Sequence, residues 1–340
     1  MNRILQKDIN QFASTFGLTS DLKDSTFLVT GATGLIGSIL IHCLIELKQN
    51  IRIIAPVRNL KKAKTVLDIN ADKVELIECE LLDFNYNQLS GVDYIVHCAA
   101  PTSSRFFVEK PVETFNIIIN STSELLKFAK TNTIKSFVYL SSLEVYGEVA
   151  NGEDGVTEEQ QGYWDPTNIR SSYPIAKRAS ETLCCLYAKE FNVPVKIARL
   201  TQTTGAGISK DDNRVIAQFA RLAVNNEDII LHTTGESARP YCYTTDCIAA
   251  ILYILLKGQN GEAYNVANED TYISARKMAE FVCDRINPNI NVRMELDDKL
   301  GYAPASKLRL STQKLAAIGW KPQYGLFDIF SKLCKYLNEL

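Results

Sequence analysis

Tyr173 and Lys177 stand four residues apart in the run Tyr173-Pro174-Ile175-Ala176-Lys177. On a helix such a pair shares one face, so a phenol and an ammonium converge. A free phenol ionises at about pH 10 and is a poor base at neutral pH. A neighbouring ammonium, together with an oxidised nicotinamide, stabilises the phenolate and lowers that value. The phenolate can then take a proton from a hydroxyl while a hydride leaves for the nicotinamide. Pro174 suits the first turn of this helix, and Ser172 is its expected cap. Ser141 and Ser142 close the preceding apolar run, in Leu140-Ser141-Ser142-Leu143-Glu144-Val145-Tyr146-Gly147. A hydroxyl there can hydrogen-bond the reacting oxygen; the plainer reading is a pair of turn residues. Tyr-x-x-x-Lys alone is common, and its weight here comes from its companions.

The first companion is Thr30-Gly31-Ala32-Thr33-Gly34-Leu35-Ile36-Gly37, directly after one apolar run and opening another. Glycine permits a tight turn, and a missing side chain lets backbone N–H groups reach a pyrophosphate. The start of a helix adds a partial positive charge. In a strand–turn–helix setting this is a dinucleotide-binding signature. The residue after the second strand then selects the cofactor. An acidic side chain would accept from a ribose 2′-hydroxyl and favour NAD. The chain reads Ile53-Ile54-Ala55-Pro56-Val57-Arg58-Asn59, with no carboxylate. Arg58 can pair with a 2′-phosphate, which tips the expectation from NAD toward NADP. Its plainer reading is a solvated arginine beside Lys61 and Lys62. Thr102, Ser103, Ser104 and Arg105 follow the fourth strand, where hydroxyls can bind substrate oxygens; the plainer reading is a polar loop start.

These residues need a scaffold, and the apolar patterning predicts one. Strands are expected at Ser25–Thr30, Ile51–Val57, Lys73–Cys79, Tyr94–Ala99, Ser136–Leu140 and Val195–Leu200. Helices are expected at Leu35–Leu47, about Val112–Lys130 and about Ser172–Glu190. Continuous apolar strands alternating with helices mean a parallel sheet covered on both faces. Right-handed crossovers then give a doubly wound α/β fold. In such sheets ligands sit at the carboxyl ends of the strands, where every motif above falls. Residues 1–24 read as a short amphipathic packing helix and linker, with Ile4, Ile9, Phe12 and Phe16 at helical spacing and Gly17 at its end. The expected division is residues 25–203 plus 238–268 for the dinucleotide-binding part, and 204–237 plus 269–340 for a smaller, mixed substrate-binding part.

Composition removes several alternatives. The chain has 340 residues, 46% hydrophobic and 22% charged, which are ordinary globular values. The net charge of −2 argues against a nucleic-acid or anionic-membrane partner. The longest apolar run, Cys247–Leu256, is ten residues, whereas a spanning helix needs about 20. Nine cysteines without a Cys-x-x-Cys pair read as reduced thiols of a cytoplasmic protein. Three scattered histidines, His42, His97 and His232, make a histidine metal site unexpected.

Taken in order, these motifs resemble the extended short-chain dehydrogenases/reductases, in the nucleotide-sugar epimerase/dehydratase group. The family's TGxxGxxG is matched by residues 30–37, and its HxAA strand end by His97-Cys98-Ala99-Ala100. Its hydroxyl-x-x-VYG is matched from Ser142 to Gly147, and its YxxxK by Tyr173 and Lys177. Its R-x-x-N-x-Y-G-P is similar to Arg199 through Ala206, and its G-x-x-x-R-x-x-x-Y-x-x-D to Gly235, Arg239, Tyr243 and Asp246. Its closing LGWxP is similar to Ile318-Gly319-Trp320-Lys321-Pro322. The resemblance covers the chain from residue 25 onward.

The resemblance implies a Rossmann domain holding NAD or NADP, a nucleotide-diphosphate sugar in the cleft, and a homodimer formed through the helices near 112–130 and 172–190. It implies Ser142, Glu144, Tyr173 and Lys177 as catalytic residues. It places Gly31, Thr33, Gly34, Leu35, Ile36, Gly37, Arg58, Glu80, Leu81, Ala99 and Ala100 at the cofactor. Thr102, Ser103, Ser104, Gln202, Arg214 and Arg239 fall on the substrate side, Arg239 as the diphosphate contact and Arg214 as a second cation or a plain surface charge. The run Arg170-Ser171-Ser172-Tyr173, with Lys177-Arg178, Glu181 and Glu144, looks most like the UDP-glucuronate decarboxylase branch. Dehydratases of the family carry Asp–Glu after the hydroxyl residue, whereas this chain has Leu143-Glu144, which disfavours 4,6-dehydration. Gln202, Thr204 and Ala206 depart from the family's Asn, Tyr and Pro on the substrate side. Three functions follow: an epimerase or decarboxylase with a captive cofactor acting at C4 of the sugar, a 4-ketoreductase using diffusible NADPH, or a non-catalytic dinucleotide sensor. Sensors of this fold typically lack the Tyr and Lys that this chain keeps.

Overall fold

A computed structural model describes residues 1–68, 73–102, 104–297 and 305–340. The strands are β1 (Thr26–Thr30), β2 (Arg52–Val57), β3 (Val74–Glu78), β4 (Tyr94–His97), β5 (Ser136–Ser142) and β6 (Val195–Leu200). They continue as β7 (Gln202–Thr204), β8 (Ile229–Leu231), β9 (Ala238–Tyr243), β10 (Ala263–Val266), β11 (Asn268–Ser274) and β12 (Val292–Met294). The helices are α1 (Arg3–Thr15), α2 (Leu35–Glu46), α3 (Leu60–Leu67), α4 (Ser104–Glu109), α5 (Pro111–Thr131) and α6 (Ser172–Phe191). They continue as α7 (Val215–Asn225), α8 (Thr244–Lys257), α9 (Ala275–Arg285), α10 (Gln313–Ala317) and α11 (Leu326–Asn338).

Seven parallel strands form the main sheet in the order β3-β2-β1-β4-β5-β6-β10. The chain winds outward from β1 to β3, returns to β4 and winds the other way, which is the doubly wound Rossmann order. Alternate residues of each strand enter different cores. Phe27, Val29, Ile53 and Val96 pack with α2 and α8. Leu28, Ile54, Ile95 and Phe137 pack with α5 and α6 on the opposite face. This is why the strands read as unbroken apolar runs. A smaller region carries β11-β9-β7 as a mixed three-stranded sheet and β12-β8 as a parallel pair. It has its own core of α7, α9 and α11 side chains, among them Ile216, Met278 and Phe330.

The expected strands and the three expected helices are present. β4 stops at His97, short of the expected Ala99, and β5 runs to Ser142, beyond Leu140. α3 was not anticipated; the Asn59 side chain caps it by accepting from Lys62 N at 2.8 Å. The expected polar loop at 102–105 instead opens α4 at Ser104. In α1, Ile4, Ile9 and Phe12 are buried, as is Phe16 at its C-cap, as a packing helix requires. All nine cysteines carry free thiols, and no helix among the described residues is long and apolar enough to cross a membrane.

Lys196 is anomalous in this sheet. It sits in β6 at 5% exposure. Its ammonium donates to Ser136 Oγ at 2.7 Å and Pro194 O at 3.2 Å. Burial pulls its pKa down to about 8. The folded value lies below the unfolded one, so folding penalises the charged form. The penalty is full below about pH 8 and fades as pH approaches the unfolded value of about 10.4. Lys196→Met is expected to stabilise the protein at pH 7 by about 1–3 kcal/mol. The gain should shrink toward zero by about pH 10, read as the difference between variant and parent melting curves. A gain independent of pH would refute the charged-lysine account.

Candidate active site

The strand order reverses between β1 and β4, so the crevice opens at their carboxyl ends. There Gly31 adopts φ +70°, and a Cβ on it would lie 2.7 Å from Ala99 N. A Cβ on Gly37 would run into the Gly31 carbonyl oxygen. Gly34 donates its N–H to Gly31 O at 3.0 Å and forms the N-cap of α2. The first-turn N–H groups at Leu35, Ile36 and Gly37 have no intrahelical acceptor. Thr33 lies in the same turn, half-buried. This cradle, bare of side chains and facing a helix N-terminus, fits a pyrophosphate.

Buried His97 locks the floor of the crevice. Its Nδ1 pairs with Thr30 Oγ1 at 2.7 Å and its Nε2 with Ser121 Oγ at 3.2 Å. Burial, assisted by the Lys177 charge, pulls its pKa down to about 3, so the ring is neutral. Thr30 Oγ1 also accepts from Ala99 N at 3.3 Å. Arg58 follows β2 and is exposed, Glu80 and half-buried Leu81 follow β3, and Ala99 and Ala100 follow β4.

The residues expected to react lie on α6 and at the end of β5. Ser172 does not cap α6. A 3-10 turn at Ile169–Ser171, capped by Asn168, runs directly into the helix, so Ser171 takes the cap position without a side-chain bond. Ser172 is the first helical residue, and its Oγ donates to Phe107 O at 3.4 Å. Lys177 is buried, and its Nζ donates to Leu140 O at 2.6 Å. Burial lowers its pKa to about 8 against the opposing pull of Glu181. Phe107 of α4 stacks on the Tyr173 ring at 4.3 Å and 11°.

In the protein alone, the surroundings of Tyr173 act on its phenol in both directions. Burial, then the nearby Glu144 charge, push its pKa upward, while the Ser142 hydroxyl beside it pulls the other way. The Lys177 ammonium stands 5.9 Å from the Tyr173 ring centroid and is already engaged by a carbonyl. In the protein alone the phenol is therefore protonated, and the lowered value is expected only with an oxidised nicotinamide also in place.

Ser142 Oγ accepts from Glu144 N at 3.2 Å, so it also caps the 3-10 turn Leu143–Tyr146. Burial raises the Glu144 pKa, with Arg170 and then Arg239 opposing. Ser142, Glu144, Tyr173 and Lys177 are thus one neighbourhood, with two arginines at its rim. Ser141 is buried, and its hydroxyl has no partner.

The substrate-side expectations divide. Gln202 opens β7 opposite Tyr241, and half-buried Arg239 lies on β9. Arg214 is engaged elsewhere: its guanidinium holds Asp212 and the Thr203 carbonyl. Thr102 is exposed, Ser104 begins α4, and Ser103 lies outside the described residues. Phe107 and the approach of Arg170 to Glu144 escaped the sequence reading. Phe107 stands in a six-residue helix with no chemical signature, whereas Arg170 stood in a quoted motif without a role.

A sequence profile described as "NAD dependent epimerase/dehydratase family" matches residues 27–267. The chain belongs to this family. Its fold, its Rossmann sheet and its standing as an enzyme follow from that membership. It is similar to UDP-glucuronic acid decarboxylase 5 of Arabidopsis thaliana, with 28% identity over 323 residues, covering 90% of this chain and 89% of the relative. It is also similar to the dTDP-D-glucose 4,6-dehydratase of Bos taurus, with 27% identity over 326 residues, covering 92% and 88%. Among solved structures it resembles a UDP-N-acetylglucosamine 4-epimerase from Methanobrevibacter ruminantium M1 in complex with UDP-N-acetylmuramic acid. That likeness has a TM-score of 0.79 at 22% identity, covers 93% and 98% of the two chains, and concerns the fold.

Gly37→Ala tests the family cradle. The added methyl must push α2 away from Gly31. The variant should fold yet lose dinucleotide binding by about a hundredfold or more, or about 2.7 kcal/mol, measured by calorimetric titration with NAD. Wild-type affinity in Gly37→Ala would separate this turn from the dinucleotide.

Proposed function

We propose that this enzyme modifies a nucleotide-diphosphate sugar at a sugar carbon, C4, by the epimerase or decarboxylase route with a captive cofactor. One observation carries the reading: Ser142, Glu144, Tyr173 and Lys177 converge beside the dinucleotide cradle, with Arg170 and Arg239 beside Glu144. NAD(P), when bound, supplies the electron acceptor and, in the return step, the donor. Tyr173 takes the proton of the sugar hydroxyl, and Ser142 hydrogen-bonds the same oxygen. Lys177 contributes a buried positive charge behind the phenol. Arg239 is the diphosphate contact, its guanidinium uncommitted among the described residues. Gln202 lines the sugar side. Arg214, held by Asp212, shapes this wall rather than reaching the diphosphate.

The C4 route is shared by relatives of several chemistries, and Leu143 separates them. A dehydratase needs an acid where this chain has Leu143. That side chain is buried in an apolar cluster with Val145, Val156 and Leu310. It has no proton to give, so dehydration is disfavoured although dehydratases are among the relatives. Arg58 favours a second reading, a 4-ketoreductase with diffusible NADPH: it is exposed after β2, where a 2′-phosphate would lie. Exposed Val112 on α5 and Leu186 on α6 support a homodimer through those helices. Nine free thiols support a reducing, cytoplasmic setting.

Denaturing the purified protein and weighing the released dinucleotide distinguishes the two readings. Near-stoichiometric NAD supports the captive route. An empty site that then prefers NADPH supports the reductase, and Arg58→Asp should then shift that preference toward NADH. Tyr173→Phe should lower kcat by about a thousandfold with the fold intact by circular dichroism. Retained turnover within about tenfold would remove Tyr173 from the mechanism.

A further inference from the structure

Glu144 stands on a 3-10 turn of four residues, Leu143–Tyr146, and its carbonyl takes one long backbone bond, from Gly147 N at 3.3 Å. Two side chains from elsewhere add further donors to the carbonyls of this turn. The Trp164 indole donates to Glu144 O at 2.7 Å. Arg178 donates through Nε to Val145 O at 2.5 Å, and through Nη2 to Tyr146 O at 3.2 Å and Gly162 O at 2.7 Å. The strap that carries Trp164 is zipped to the turn. Glu148 and Tyr163 exchange N–H···O bonds at 3.0 and 3.1 Å, and Gly162 N donates to Tyr146 O at 2.9 Å. A Cβ on Gly162 would lie 2.5 Å from Tyr146 O, and one on Gly147 would lie 2.8 Å from the Trp164 ring. Only glycine allows the two backbones this close.

Arg178 is also one residue beyond Lys177 and five beyond Tyr173 on α6. One helix therefore presents the phenol, the ammonium and the fork that grips the Glu144 turn. We propose that Arg178 and Trp164 are positioning residues that hold Glu144 against Tyr173, so that α6 sets the geometry of all the reacting groups at once. A planar guanidinium suits three carbonyls at fixed directions, and an ammonium cannot reproduce that fork. The proposal rests on the function above only for its substrate assay; the geometry stands without it.

The first test needs no substrate. The chain has two tryptophans, so protein labelled with 5-fluorotryptophan shows two fluorine resonances, assigned with Trp164→Phe. Glu144 is faced by Arg170, Arg239 and Tyr173, and its burial raises its pKa. The Trp164 resonance should titrate with a midpoint above the ordinary carboxylate range, and Glu144→Gln should abolish that titration. In Arg178→Met the turn loosens, and the midpoint should fall toward the ordinary value of about 4.3. Arg178→Lys should behave alike and replaces it if the methionine variant does not fold. An unchanged midpoint, or a resonance indifferent to Glu144→Gln, overturns the proposal.

The second test uses UDP-glucuronic acid. Arg178→Lys and Trp164→Phe should lower kcat by about tenfold to a hundredfold, the scale of a small misplacement, with KM within about threefold. Lowered melting temperature with unchanged kcat would make both residues merely structural and overturn the proposal. If the parent enzyme does not turn over UDP-glucuronic acid, that sugar nucleotide is not its substrate, and the fluorine titration alone decides the positioning role.

Discussion

The buried ion pair between Arg199 and Glu181 is the joint on which the rest hangs. Both side chains are under a tenth exposed, and the Nη2–Oε2 contact is 2.8 Å. Arg199 further donates through Nη1 to Tyr146 OH at 3.0 Å and to Glu158 O at 2.8 Å. Tyr146 OH donates to Asn265 Oδ1 at 2.7 Å, and Asn265 N donates to Glu158 Oε1 at 2.7 Å. Five separate pieces of chain meet here: β6, α6, the turn after β5, the strap after it, and β10. A charge buried without a partner costs several kcal/mol, so this pair tolerates no displacement of α6 relative to β6. The helix that carries Tyr173 and Lys177 is thereby registered to the carboxyl edge of the sheet, where the cofactor cradle lies.

That registration puts the chemistry in a place hostile to charge. Tyr173, Lys177 and Glu144 each suffer desolvation: the phenol and carboxyl are pushed up, the ammonium is pulled down to about 8. Each group is moved toward its neutral form. Any added positive charge has its largest effect here, because water is excluded. The Lys177 ammonium is shared, since its Nζ also holds the Leu140 carbonyl, which fits the expectation that an oxidised nicotinamide is needed beside it. Its Nζ stands 5.9 Å from the Tyr173 ring centroid as a fixed positive charge.

Much of this was legible in the sequence, and the exceptions have a common cause. β6 matched its expected bounds, and α2, α5 and α6 came within a residue or two. Their signals are periodicity and turn glycines, which are local. The clustering of Ser142, Tyr173 and Lys177 at strand ends also followed, since topology alone forces it. What escaped depends on which partner a side chain takes, near in sequence or far. Ser172 looked like a cap until a preceding 3-10 turn supplied the helix entry. Phe107 carries no signal of its own in the sequence and is the ring against Tyr173. Arg214 looked free until Asp212, two residues before it, claimed its guanidinium. None of these outcomes leaves a trace in spacing, because each is decided by which partner arrives first in three dimensions.

The amino-terminal helix makes the same point from outside the family match, which begins at residue 27. As a sequence it shows an apolar face and nothing more. In the fold, Asp8 on that helix is 1% exposed. It accepts from Lys332 Nζ at 2.6 Å and from the Tyr243 hydroxyl. Tyr243 OH in turn accepts from Ala206 N at 3.4 Å, just past β7. A buried carboxylate is stable only when its partners are in place, so α1, α11 and β9 must dock together or not at all. The helix is a packing arm, as its periodicity says, but the reason it stays docked is the one polar residue on its buried face. An apolar stripe alone would permit sliding by a turn; an ion pair with a fixed hydroxyl permits one register.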